Sequence, residues 1–162
     1  MRLSAVTALL VFGAATAEAP PARAEPVRGS WGSLVNCLFT NYNPMTGDMR
    51  CEGSTLWRGT WTGITHYRVE GTYDVLTGDS AGTLRETFYG SDSTGRRGTL
   101  SFAERYKLDG AASRIHITAE ITGGTGELRD ARGVATFDGT NNAAAGYGTY
   151  SGEWTQPRDR GQ

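Results

Sequence analysis

Residues 121–133 read Ile121-Thr-Gly-Gly-Thr-Gly-Glu-Leu-Arg-Asp-Ala-Arg-Gly133, with four glycines in thirteen positions. Glycine takes positive φ and lets the chain turn where a Cβ would obstruct it, so this stretch interrupts the strand-like segments on either side. Glu127 to Arg132 is the one brief helix-compatible patch and predicts a short helical turn over 127–132. The stretch is a corner between strands, with Arg129, Asp130 and Arg132 as its polar and capping groups rather than catalysts.

Outward from this corner the pattern is one of short β-favouring runs. About eight strands are expected: Leu34 to Tyr42, Met49 to Trp57, Trp61 to Val75, Thr83 to Ser91, Thr99 to Leu108, Arg114 to Thr122, Val134 to Gly139 and Tyr147 to Thr155. The links carry turn signals, among them Thr77-Gly-Asp-Ser80, Ser93-Thr-Gly95, Leu108-Asp-Gly110 and Asn141-Asn142. No 3.6-residue apolar period persists long enough for a true helix. The expected fold is all-β, a closed antiparallel up-and-down barrel, because closure removes the exposed edges that such a meander would leave. An eight-stranded barrel can just hold one small ligand.

The expected organisation is a signal peptide over 1–24, a flexible lead-in over 25–32, a single barrel domain over 33–156 and a polar tail over 157–162. Arg2 supplies the basic start of the signal, Ala5 to Ala15 its short apolar run, and Ala22-Arg-Ala24 the favoured cleavage site. That apolar run is shorter than the roughly 20 residues needed to span a bilayer, so cleavage would leave a secreted, extracellular or periplasmic protein with no membrane association. A formal net charge of −1 gives no electrostatic reason to expect a nucleic-acid partner.

Only two cysteines are present, Cys37 and Cys51, flanking the turn-rich Asn41-Tyr-Asn-Pro-Met-Thr-Gly-Asp48. A hairpin centred on Pro44 sets them face to face, and an oxidising compartment then favours a disulfide. A reactive thiol or a two-thiolate metal site is the competing reading. Closing so short a loop contributes about 2–3 kcal/mol.

Side-chain alternation sorts the hairpin from Thr83 to Leu108 into two faces. Leu84, Glu86 and Phe88 share one face of its first strand; Leu100, Phe102, Glu104, Tyr106 and Leu108 share one face of its second. Each apolar face thus carries one carboxylate. A turn near Gly95 puts Glu86 and Glu104 directly opposite, and a shift of two residues makes them diagonal neighbours. Two carboxyl groups in an apolar setting repel, so one should hold its proton and serve as a general acid while the other acts as base or stabiliser. Tyr106 joins them as a candidate catalytic group. The competing readings pair either glutamate with an inward Arg68 or Arg114, or bury the face under a partner chain.

Trp61, Tyr67 and Tyr73 fall on one face of the third strand, and Trp57 on the Cys51 face of the second. With Phe88, Phe102, Tyr106, Tyr150 and Trp154 they are candidates for the lining of an apolar pocket. His66 and His116 fall on polar faces. No spaced His or Cys cluster suggests a metal, and no nucleophile elbow or dinucleotide fingerprint is present. Gly123-Gly-Thr-Gly126 lacks the lysine and the βαβ setting of a phosphate loop.

Gly123-Gly-Thr-Gly126 followed by Ala131-Arg-Gly133 and the strand to Phe137 resembles the signature of the allene oxide cyclase and dirigent-like barrel superfamily. The resemblance extends to Arg58-Gly-Thr-Trp-Thr-Gly63, Gly71-Thr-Tyr-Asp74 and Gly148-Thr-Tyr-Ser-Gly-Glu-Trp154, covering most of the chain after Gly53. It implies a barrel that shapes a reactive small molecule without a cofactor. The expected activity is a cyclase or isomerase acting on a largely apolar substrate, with a polyketide closed by cycloaddition as one candidate. A secreted protein that binds an apolar ligand without catalysis is the alternative. Dimers and trimers occur among the barrels it resembles, which leaves assembly into a homo-oligomer open.

Overall fold

The computed structural model describes residues 23–40, 45–142 and 145–156. The expected signal segment through residue 22, the centre of the turn at 41–44 and the tail at 157–162 lie outside the described residues. Eight strands follow one another: β1 Glu25–Thr40, β2 Thr46–Gly59, β3 Trp61–Asp74, β4 Ser80–Asp92, β5 Arg97–Asp109, β6 Arg114–Gly126, β7 Arg132–Asn141 and β8 Ala145–Thr155. Each pairs antiparallel with the next, and β1 pairs with β8, so the sheet is a closed barrel.

Residues 25–32 are not a flexible lead-in. They form the first half of β1, where Glu25 pairs with Trp154 and Trp31 with Gly148. Val27 and Trp31 are buried on its inner face, and the Arg28 N–H donates to the Thr60 hydroxyl at 3.0 Å. Without this half-strand β8 would have an open edge; its apolar alternation is simply too brief to stand out between polar neighbours.

Residues 127–130 are a turn, and no helix forms. The Leu128, Arg129 and Ala131 N–H groups donate to the carbonyls of Thr125, Gly126 and Leu128 at 3.1, 3.4 and 3.4 Å, a succession of tight turns with no α-helical bond. Positive φ at Gly126 (62°) and Asp130 (62°) bounds it on both sides and stops helical propagation. Leu128 and Ala131 are fully buried, so the corner folds back under the barrel and seals that end.

Cys37 and Cys51 are directly paired across β1 and β2 and form a disulfide. A covalent bond on the inner face of the first hairpin suits an oxidising compartment. Changing both cysteines to serine is expected to cost about 2–3 kcal/mol, read as a lower urea midpoint. An unchanged midpoint would mean that the hairpin is already held by its ladder.

Candidate functional site

The inward side chains divide the barrel into two halves. At the end closed by the corner, Trp61, Phe88, Leu100, Leu128 and Ala131 are fully excluded from solvent. The Tyr150 ring stacks on Trp61 at 5.5 Å, and its hydroxyl accepts the Trp61 N–H at 2.9 Å. Trp154 meets Trp61 edge-on at 5.7 Å, and Phe102 lies 5.7 Å away. These residues are an aromatic plug. Of the nine aromatics expected to line a pocket, Trp61, Phe88, Phe102, Tyr150 and Trp154 fill this half, because their strand positions lie towards the sealed end.

The other half holds a cavity of about 330 Å³. It opens between the β3–β4, β5–β6 and β7–β8 turns, where Gly78, Gly110, Ser113 and Asn142 line it. Trp57, Tyr67, Tyr73 and Tyr106, the remaining four of the nine, line its wall together with Phe137. Trp57 lies where the halves meet, with its ring 5.2 Å from Phe102 and 5.0 Å from Phe137. A Cβ at Gly71 would run into the Tyr106 hydroxyl and one at Gly53 into that of Tyr67, so both glycines make room for wall residues.

Glu86 and Glu104 both line the cavity and are 7% and 4% exposed. Glu86 pairs with Phe102 and Leu84 with Glu104, so the carboxylates are diagonal neighbours rather than directly opposed. The cause is the β4–β5 turn. Asp92 accepts the Thr94 and Arg96 N–H groups at 2.9 and 3.0 Å and the Arg96 guanidinium at 2.6 Å. The loop is thereby centred on Thr94, with Gly95 at φ 90°. Burial raises the Asp92 carboxyl, but these hydrogen bonds outweigh it and hold it below the ordinary value.

The two carboxyl groups influence each other's ionisation. Burial raises Glu104 well above the usual carboxylate range, and the Glu86 charge raises it further. Burial also raises Glu86, while hydrogen bonds from Thr65 and Thr55 and the neighbouring Glu104 carboxyl work against that rise. Glu104 is therefore the group that keeps its proton, and Glu86 the one supported as an anion. Arg68 faces outward beside Glu52 at 3.9 Å and Arg114 is exposed, so neither pairs with the glutamates. Glu104 Oε1 is buried with no hydrogen-bond partner among the described residues.

Thr55 and Thr65 were not anticipated. The Thr65 hydroxyl donates to Glu86 Oε1, and Thr65 is fully buried. Both threonines sit two residues from an aromatic already assigned inward, Trp57 and Tyr67, so alternation alone could have found them. Trp31 was missed because its segment read as a lead-in; it lines the cavity with an unpartnered indole N–H. Tyr106 is in the cavity, but its hydroxyl is held by Ser80 at 2.8 Å, and burial raises its pKa. It is placed as a wall residue with its polar end occupied. Among the described residues no three His, Cys, Asp or Glu side chains converge as a metal set.

Fold and site together define a closed eight-stranded antiparallel barrel, plugged at one end, with a carboxyl pair inside a cavity open at the other. No family model matches the chain, and no curated protein matches it. A crystal structure of a Shewanella oneidensis MR-1 protein of unknown function from the DUF3224 family is similar, with TM-score 0.60 at 15% identity. The match covers 83% of this chain and all of that one, and it shows a shared barrel fold.

Proposed function

We propose that this chain is a secreted, cofactor-free cyclase or isomerase that folds a small, largely apolar molecule against the aromatic wall of its barrel. The observation that carries this reading is the Glu86–Glu104 pair: a carboxylic acid kept neutral beside a supported carboxylate, in a cavity with no other charged group among the described residues. Glu104 can give its proton to a substrate oxygen, and the pair can take one back from an adjacent carbon, so the protein is unchanged over a cycle. The wall rings hold one conformer and exclude water from the step. The resemblance of residues 123–133 to allene oxide cyclase and dirigent-like barrels supports the same chemistry, and the disulfide supports secretion.

An isomerisation or ring closure without a cofactor leaves mass unchanged. Incubating the purified protein with fractionated apolar metabolites is therefore expected to convert one compound into an isomer of identical mass. Glu104→Gln should slow that conversion by about 10²–10⁴-fold while the compound still binds. Equal turnover in Glu86→Gln and Glu104→Gln variants would remove the pair from the mechanism. Binding with no conversion would leave the protein as a carrier of an apolar ligand.

A further inference from the structure

We infer that the ligand of this cavity is an apolar amine bound as its ammonium ion, its nitrogen against Glu104 and Glu86 and its hydrocarbon against the aromatic wall. This rests on the small-molecule reading above in its ligand-carrier form, since an ammonium held between two ionised carboxylates leaves Glu104 no proton to donate. The argument begins with what the cavity has already satisfied. The Ser33 and Tyr67 hydroxyls bond each other at 3.0 Å, and Tyr67 also donates to the Leu34 carbonyl. Ser80 and Tyr106 hold each other, and the Thr65 hydroxyl serves Glu86. Three buried polar atoms of the lining are left without a partner, the Trp31 indole N–H and the acceptors Asn141 Oδ1 and Glu104 Oε1, and only the last belongs to a carboxyl pair. An acceptor in that position calls for a ligand donor.

Charge narrows the donor. Among the described residues lining the cavity there are two carboxyl groups and no Lys, Arg or His. A buried carboxylate with no cation is costly, and the pair tolerates its setting by sharing a proton. A ligand ammonium supplies the missing charge. It would also sit among the rings of Trp57, Tyr67, Tyr106 and Phe137, which attract a cation as they would not attract an alcohol. A ligand carboxylate would add a third acid and be rejected. The turns at the mouth carry Asp74, Asp79 and Asp109 against Lys107 and Arg114, an approach that does not repel a cation.

Ammonium binding favours ionisation of both glutamates and so releases the proton they share. The titratable groups facing the nitrogen are Glu86 on β4, Glu104 and Tyr106 on β5, and Tyr67 and Tyr73 on β3. Burial raises Tyr67 and Tyr106 and keeps them neutral, which leaves the pair as the proton source.

The test compares three probes of similar shape, 2-phenylethylamine, 2-phenylethanol and 3-phenylpropanoate, by calorimetry on the purified protein at neutral pH. The amine is expected to bind at least about tenfold more tightly than the alcohol, with the carboxylate undetected. Its binding heat should vary with the ionisation enthalpy of the buffer, as proton release requires; the alcohol's should not. In Glu86→Gln and Glu104→Gln the amine preference should fall to within about threefold while the alcohol still binds, which shows the cavity intact. Alcohol binding as tight as the amine's would overturn the amine assignment and leave the small-molecule reading standing. Failure of all three probes to bind would overturn both.

Discussion

Trp57→Ala is expected to lower the melting temperature by about 10–15 °C, the largest loss from any single substitution in the barrel. Trp57 is 1% exposed, and its ring lies within 5.6 Å of those of Trp61, Phe88, Phe102, Phe137 and Tyr150. Truncating a buried tryptophan costs about 3–5 kcal/mol, because the lost transfer energy is joined by a hole that neighbours fill only in part. The hole would merge with the cavity, since Trp57 is both the top of the plug and part of the wall. Val134→Ala, at a site 61% exposed, is the matched control and should move the midpoint hardly at all. Similar midpoints for the two variants in a thermal melt followed by circular dichroism would show that the plug is not the principal core.

The second large effect concerns pH. Glu86 and Glu104 are both raised above the ordinary glutamate value of 4.5 in the folded protein. Below that value both states are protonated and the pair costs nothing. As pH rises, the unfolded chain ionises freely while the folded chain holds its protons, so stability falls until pH passes the folded pKa values and then levels off. Wild type should therefore melt several degrees lower at pH 8 than at pH 5. Glu104→Gln, which removes the like-charge neighbour, should flatten the slope and melt higher than wild type at pH 8. Asp92 and Asp74 act oppositely, but below the ordinary aspartate value of 3.8, outside this window. A wild-type melting temperature that climbs from pH 5 to pH 8 would contradict the buried pair.

Much of the site was legible because alternation is a local property. The inward assignment of Glu86, Glu104, Trp57 and Tyr67 needed only the residue two positions away on the same strand. The pairing of Cys37 with Cys51 followed from a short symmetric turn. The relation between the glutamates was less accessible, since both registers preserve the same inner faces, and the Asp92 carboxylate chose between them by binding the backbone of its own loop. Alternation also says nothing of depth. It put Trp61, Phe88, Phe102, Tyr150 and Trp154 correctly inside, and wrongly on the cavity wall.

By itself, then, the sequence determined the class of fold, which residues share a face on β3 to β5, the facing of the two cysteines and the presence of two acids on an apolar face. Residues 121–133 were read as a corner, and the turn itself is confined to 127–130, because β6 runs on to Gly126 and β7 begins at Arg132. Only the tertiary structure decided that this corner is the seal of the barrel, that residues 25–32 close the sheet, and that the interior splits into plug and cavity. The physical reason is that position along the barrel axis accumulates from strand to strand with each register, so no single strand encodes the level at which its side chains meet the others.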